Sequence, residues 1–449
     1  MSNVKDFGAL GDGATDDTEA IRHAITAGNG SLEFPRGNYR ISETIEVVLD
    51  ETGRIGIDGS SGTATVVMAG AGPAFRIIGA HGGTGDPNSA KPNVWANQRM
   101  ATLRNLEITG DNPEADGVEL IETMQSTFDG VLIRKVRNAI RLHRRNRNVL
   151  ISDSHIYHNT GVGVLLDEVN LHQINISGSH ISYNRRGGIR IEKSEIRNLQ
   201  ITGNDIEYNN YRAHGAEPEP TAEIYIDTRA EKASVNEVTI ASNTIQATIS
   251  PGGANIRIIE KPDESRPPGL WAVTGNIIGS QETNVHLTGC YGVAISGNCI
   301  YSCENRNLLL DQCSQINLSG NIFRRHTPRA NCGVRIVNSK DVVLSGCTIQ
   351  DESPEGQANG ASLLELSSCK RISVQGCQLL DGSPYGIDAE DCEQTNISGC
   401  TVAGDRIADR NLAAIRFHGT GAANLISACT VNANVETGDG VEIANLVKV

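Results

Sequence analysis

The stretch INISGSHISYN, Ile174–Asn184, returns along the chain in altered form: LISDSHIYHN at 150–159, LQITGNDIEYN at 199–209, INLSGNIFRRH at 316–326, VVLSGCTIQDE at 342–352 and TNISGCTVAGD at 395–405. Each copy reads as an apolar-polar strand, a small turn and a second short strand, and a variable loop and a third strand come before the next copy. At the first turn stand Ser154, Ser179, Asn204, Asn243, Asn276, Asn298 and Asn321, continued by Cys347, Cys377, Cys400 and Cys429. The shortest step, Asn276 to Asn298, is 22 residues, and longer steps read as insertions. A unit this small cannot bury its own apolar face, so stacked units must supply the core. The pattern predicts an all-β solenoid with three strands per coil.

Stacked coils lie ~4.8 Å apart, the spacing of neighbouring strands. Superposed inward Asn amides can then donate and accept along the column, satisfying turn carbonyls that burial would leave unpaired. Cys fills the same slot later in the chain, and a second Cys column is expected at Cys290, Cys313, Cys369 and Cys392. The 11 cysteines read as reduced core fillers, although the spacing leaves disulfides between neighbours open. No CxxC pair or Cys/His cluster has zinc-site spacing.

Composition agrees. The 449 residues are 38% hydrophobic but 4% aromatic, with 48 Gly, which suits an aliphatic core and many turns. A formal charge of -14 argues against a nucleic-acid partner. No apolar run is long enough to span a bilayer, and the first thirty residues lack a signal-peptide pattern. No membrane partner is expected, and the chain as written is expected to be soluble and cytoplasmic, or secreted or periplasmic had a leader been removed.

The N-terminal segment VKDFGALGDGATDDTEAIRHAI reads as strand, glycine turn and amphipathic helix, with Asp16 or Asp17 as N-cap and Glu19 in the first turn. SLEFPRGNYRIS then leads into the stack. Over Val4–Ser42 the sequence resembles the N-terminal cap of the pectate-lyase superfamily of right-handed parallel β-helices, which includes polygalacturonase-like, epimerase-like and tailspike-like proteins. The resemblance implies a single-stranded right-handed parallel β-helix over 51–449, merging with a cap at 1–50 into one continuous domain. It specifies fold more than activity.

By that resemblance the strand after the variable loop lines a substrate groove. Alternation turns Val164, Ile189, Ile224 and Ile256 inward, and Leu165, Arg190, Tyr225, Arg257 and His286 outward. Two residues on, Asp167, Glu192 and Asp227 also face out, and Arg141 and His143 occupy the same columns one coil earlier. Three carboxylates ~5 Å apart raise one another's pKa unless neutralised, by Arg190 and Arg257 or by Ca²⁺. The plainer reading is a solvated strand with ordinary ion pairs. Insertions at 210–222 and 261–269 would wall this patch; those at 351–361 and 81–98, the latter with Trp95, adjoin less clustered strands. Basic RLHRRNRN, Arg141–Asn148, reads either as a solvated turn or as a site for carboxylates or sulfates. Columns of His155 and His180, and of Tyr157, Tyr183 and Tyr208, are expected to be stacking surface.

The expected function is cleavage of an acidic polysaccharide or oligosaccharide by β-elimination. Asp167, Glu192 and Asp227 would hold Ca²⁺, Arg190 or Arg257 would act as base or carboxylate neutraliser, and Arg141, His143, Tyr225 and His286 would bind substrate. The metal and arginine roles are what the superfamily resemblance implies. A glycoside hydrolase using two of the same carboxylates is the alternative, and a non-catalytic glycan-binding or tailspike-like adhesion protein a third. The resemblance also implies a homotrimer. The Asn-Thr-Asp and Gly-His-Gly motifs of polygalacturonase-like enzymes and the Asp-Pro-His-Glu of epimerase-like ones are absent.

Overall fold

Isoleucine columns build the core. Ile133, Ile156, Ile181 and Ile206 follow one another in parallel register, as do Ile151, Ile176 and Ile201, and all are 0% exposed. Each fully buried side chain of this size contributes about 1.5–3 kcal/mol relative to exposure, so stacking drives the fold. The computed structural model describes residues 1–83, 85–215, 217, 219–261, 269–325, 331–352, 361–404 and 412–449. They form two compact units, Met1–Glu217 with Thr221–Val238, and Pro218–Pro220 with Thr239–Val449. Both are built of parallel strands, in the right-handed β-helical arrangement that the resemblance of the N-terminal segment implies.

In the first unit helix α1, Thr18–Ala27, buries Ile21, Ala24 and Ile25 against the Val4–Phe7 turn and the Ile45–Val48 strand. The two aspartates before it divide the work. Asp17 occupies the N-cap position but accepts from the amides of Leu10 and Gly11, while Asp16 accepts from the amide of Thr18.

Five strands of this unit carry the candidate site: β1 (Ile140–Ser152), β2 (Val164–Ser177), β3 (Ile189–Glu192), β4 (Glu195–Thr202) and β5 (Ala222–Asp227). β1 and β2 are long because each turns two corners without breaking. The corner residues Arg144, Glu168 and Lys193, and Asn148, Gln173 and Asn198, all have φ between 49° and 67°. Left-handed backbone costs a non-glycine residue on the order of 1 kcal/mol, and the coil repeats because its neighbours enforce the same corner. The first half of β2 thereby pairs with β3, its second half with β4, and β3 with β5.

The polar ladder forms as expected. In the first unit Ser154 N donates to Ser179 Oγ and Ser179 N to Asn204 Oδ1. In the second, Asn243, Asn276, Asn298 and Asn321 are joined amide to amide at 2.9–3.0 Å. The cysteines that continue it do more than fill space. Asn321 Nδ2 donates to the Ile295 carbonyl, and Cys347 Sγ reaches the corresponding Leu318 carbonyl at 3.5 Å, so the thiol inherits the amide's bond. All eleven cysteines are free, and all but Cys299 are buried.

Candidate functional site

Register brings the predicted residues of the first unit onto one wall. Arg141, Leu165, Arg190 and Tyr225 stack in one column, and Asp167, Glu192 and Asp227 in the next. All seven are half-buried, because each flanks an inward Ile, Leu or Val on a flat parallel wall. Each carboxylate has its own cation. Arg141 Nη2 lies 3.2 Å from Asp167, Arg190 Nη2 2.7 Å from Glu192, and Arg229 Nη2 2.6 Å from Asp227. The plainer expectation of ion-paired strands therefore describes much of the wall.

The pairing bears on two expectations. Arg190 is a poor base: burial pulls its pKa down, but its hydrogen bond and charge pairing with Glu192, aided by Tyr225 and Asp227, outweigh that, and the guanidinium is held more firmly protonated than usual. Its face also lies 4.5 Å over the Tyr225 ring. Calcium on Asp167, Glu192 and Asp227 would have to compete with the same arginines. One oxygen each of Asp167 and Glu192 and both of Asp227 are engaged by them, and among the described residues no group of three or more His, Cys, Asp or Glu is arranged to hold a metal ion.

At Asp227 burial pushes the carboxyl up, but hydrogen bonds and charge from Arg229, with the Tyr225 hydroxyl at 3.2 Å, prevail and hold it below its usual range. The Arg229 clamp escapes sequence reasoning because it lies past the end of β5, outside the repeat. Glu119 escapes it too. This residue is 7% exposed and sits between Arg76 at 2.7 Å and Arg141 at 3.2 Å, extending the wall by an alternating chain of charges.

His143 is the group least committed to that chain. Its Nδ1 lies 2.9 Å from the Asp167 carbonyl oxygen. Facing an acceptor, Nδ1 carries a proton, so in the neutral ring the lone pair lies on Nε2. Beside it, Arg141 bridges Glu119 and Asp167 while its buried Nε has no partner. A proton acceptor and an incompletely used guanidinium thus stand two residues apart on β1.

The other two predicted residues belong to the second unit, on the strands Ala254–Ile259 and Ile277–Thr288. Arg257 and His286 are paired there in register. Burial first, and then the Arg257 charge, push the His286 imidazole down to about 3. It is neutral at physiological pH. Arg257 Nη1 donates to Thr288 Oγ1 at 3.0 Å.

Of the insertions, residues 262–268 and 353–360 lie outside the described residues, as do Thr84, Ala216 and Pro218. The remainder of 210–222 folds back on the coils, with His214 Nε2 2.5 Å from the Tyr183 carbonyl and Tyr211 under Arg185 at 4.4 Å. It flanks a stack of His158, Tyr183 and Tyr208 with ring centroids 5.0 and 5.5 Å apart, next to the paired rings of His155 and His180 at 5.1 Å. The 81–98 insertion is tied to the body through Gln98, which accepts from Ala80 N and donates to Asp50. Around the corner from His143 the first unit has an open groove of ≈ 520 Å³, lined by amides including Gln125, Asn148, Gln173, Asn175, Asn198 and Gln200. Among the described residues no helix is long and apolar enough to cross a membrane.

Residues 1–99 match the family model described as rhamnogalacturonase A/epimerase, pectate lyase-like, and residues 88–245 and 284–447 match the right-handed β-helix region. Mannuronan C5-epimerase AlgE3 of Azotobacter vinelandii is 61% identical over 44 residues, 9% of this chain and 2% of that protein. AlgE6 of the same organism is 27% identical over 187 residues, 37% of this chain and 20% of that one. The matches thus span a small part of these relatives. Among solved structures, tailspike protein 3 of bacteriophage CBA120 aligns with 100% of this chain and 62% of its own at 12% identity and a TM-score of 0.42. The extent of the two segments that match the right-handed β-helix region, together with the stacked parallel coils, places the chain in the family of right-handed β-helix proteins, with a pectate lyase-like N-terminal segment over residues 1–99.

Proposed function

We propose that the chain is a carbohydrate-active enzyme that binds an acidic polysaccharide along the wall from Arg141 to Asp227 and cleaves it by β-elimination, with His143 as the base. The observation that carries this reading is the meeting of Arg141, His143 and Asp167 on adjacent coils. His143 Nδ1 is anchored to the Asp167 carbonyl, so Nε2 is oriented as a proton acceptor. Arg141 stands where a positive charge would stabilise the uronate carboxylate as its α-carbon loses a proton. His143 takes that proton, the electron pair forms the C4–C5 double bond, the C4–O bond breaks, and the leaving oxygen takes a proton to give a new chain end. Arg190, Tyr225 and Arg229 orient the remaining carboxylates of the wall.

The short matches to mannuronan epimerases make mannuronan the first polymer to try. Incubation with mannuronan, polygalacturonate and a neutral glucan, read for ultraviolet-absorbing unsaturated ends and for reducing ends together, tests the proposal. Both should appear in parallel from an acidic polymer, and His143→Gln should slow them about 10²–10⁴-fold. Reducing ends without unsaturation would point instead to a hydrolase. Tight binding without either product would establish an adhesion module, a reading favoured by the pairing of every carboxylate on the wall with an arginine. The homotrimer is a separate proposal, tested by the mass of the protein in solution.

A further inference from the structure

We propose that His81, Arg145, Arg147, His172 and Arg197 form an oxyanion site, distinct from the Arg141 wall, that takes a carboxylate or sulfate group. This inference does not depend on the elimination chemistry.

The corner at Arg144 carries β1 onto the next face, and there Arg147, His172 and Arg197 stack in register on three successive coils. Arg145, Asn170 and Glu195 form the column beside them. Among the described residues Glu195 is the one carboxylate ion-paired to these guanidinium groups; it accepts from Asn170 Nδ2 at 2.7 Å and lies 3.8 Å from Arg197 Nη2, while Arg197 Nη1 donates to Ser234 Oγ at 3.0 Å. Three guanidinium groups therefore stand beside a single paired carboxylate. Described residues of the 81–98 insertion cover them. His81 is 1% exposed, and Gly85 comes so close to His172 that a Cβ there would fall 2.4 Å from the ring.

The cluster holds more unmatched donors than acceptors, although Asn170 Oδ1 is also buried without a partner. Both ring nitrogens of His81, Arg145 Nε and Arg147 Nη1 are buried without a hydrogen-bond partner, and Arg147 is 8% exposed. A neutral imidazole carries one N–H and one lone pair, so leaving both nitrogens unmatched is unusual in a buried position. Arg145 and Arg147, two residues apart on one strand, also repel where water is excluded. Burial, followed by Arg145, Arg147 and His172, pushes His81 down to about 4. His172 and Arg145 are lowered as well, by burial first. A water molecule could bridge some of these donors but would leave the excess charge. An oxyanion supplies acceptors in several directions and cancels charge, and planar guanidinium groups match its geometry. The compactness of the cluster, in a chain of net charge -14, suits one small anionic group rather than a nucleic-acid backbone.

That group could be free in solution or carried by a sugar chain. Calorimetric titration at constant ionic strength with inorganic sulfate, with uronate oligosaccharides and with a neutral oligosaccharide separates the sources. Saturable binding of sulfate alone identifies a free anion; uronate binding that is tighter than that of sulfate and is weakened in Arg145→Gln identifies a sugar substituent at this site; the neutral compound should not bind here. Arg147→Gln and Arg145→Gln should each weaken binding at least tenfold, and the imidazole NMR signals of His81 and His172 should titrate at higher pH when ligand is bound. Should Arg147→Gln fail to fold, half-buried His172→Gln provides the same readout. His143→Gln, on the other wall, should leave sulfate affinity unchanged. Failure of both anions to bind, or affinities unaltered in the Arg145 and His172 variants, overturns the proposal.

Discussion

The side-chain amide of Asn209 donates to the carboxyl group of Glu223, which is 1% exposed. Glu223 also accepts from the Asn209 backbone N–H, at 2.9 Å. It ends a second ladder, in which Asn159 donates to Asn184 and Asn184 to Asn209, both at 2.7 Å. An acid thus occupies a slot that an amide fills elsewhere.

Burial raises the Glu223 pKa well above that of a free glutamate, more than the Asn209 hydrogen bonds lower it, and nearby Glu207 raises it further. The folded state therefore holds the proton more tightly than the unfolded state. Stability from this group is complete below about pH 4.3, the value for an unfolded Glu, and declines as pH rises through the folded pKa. Glu223→Gln should remove this slope and make the protein more stable than the parent at neutral pH. Denaturant midpoints measured for both proteins between about pH 4 and 8, a range that spans the unfolded value, test this; parallel curves would show that Glu223 is ionised when folded.

A second prediction concerns the other ladder. Asn298 Oδ1 accepts from Asn276 N and Nδ2, and its own Nδ2 donates to Val273 O and Asn321 Oδ1, all in the interior. Asn298→Ala leaves these partners unmatched and should destabilise the protein by about 3 kcal/mol. Asn298→Cys should cost less, because Cys347 occupies the same slot one coil beyond Asn321 and still reaches a strand carbonyl. Equal losses in the two variants, by chemical denaturation, would refute the idea that the thiol inherits the bond.

The coil is legible in the sequence because its period is written in residues that must face inward. Asn204, Asn276 and Cys347 recur at one turn, and alternation assigns Val164 and Ile189 to the core. The same alternation puts Asp167, Glu192 and Asp227 on one outward wall. It cannot assign the neutralising partner, because an arginine reaches several ångströms beyond its register position. Arg229 lies past a strand end and Glu119 two coils before Asp167, so neither follows from the period. The second ladder is hidden by its irregular ending, where Glu223 replaces an amide. The run at Arg141–Asn148 is visible, but its division between two walls depends on the left-handed corner at Arg144, and sequence gives little warning of such a conformation in arginine. His81 carries no signal at all; only folding of the 81–98 insertion brings it to Arg145 and His172.

Thiol chemistry supplies a third prediction. Cys347, Cys377, Cys400 and Cys429 are free and buried, whereas Cys299 is partly accessible. Apolar burial keeps reagents from these thiols. Brief alkylation of the native protein, followed by peptide mass spectrometry, should modify Cys299 alone, and alkylation after unfolding without reductant should modify all eleven. Protection that persists in the unfolded state would reveal disulfides between stacked neighbours.

Asp227 provides a last prediction, bearing on the hydrolase alternative. A general acid must hold its proton near neutral pH, which requires a raised pKa. The reverse holds here, since Arg229 and Tyr225 overcome the effect of burial and the carboxyl is held below its usual range. A depressed folded pKa contributes stability above the unfolded value of about 3.9, and that contribution is lost as pH falls through the folded pKa. Asp227→Asn should therefore destabilise the protein near neutral pH by no more than about 1 kcal/mol, given that Arg229 is largely exposed, and the difference should shrink at strongly acid pH. In an elimination reaction driven by His143, Asp227→Asn should alter KM more than kcat. Turnover reduced by about a hundredfold or more, with the alkaline limb of the pH profile lost as well, would instead assign Asp227 the acid's role and remove His143 from the centre of the reaction.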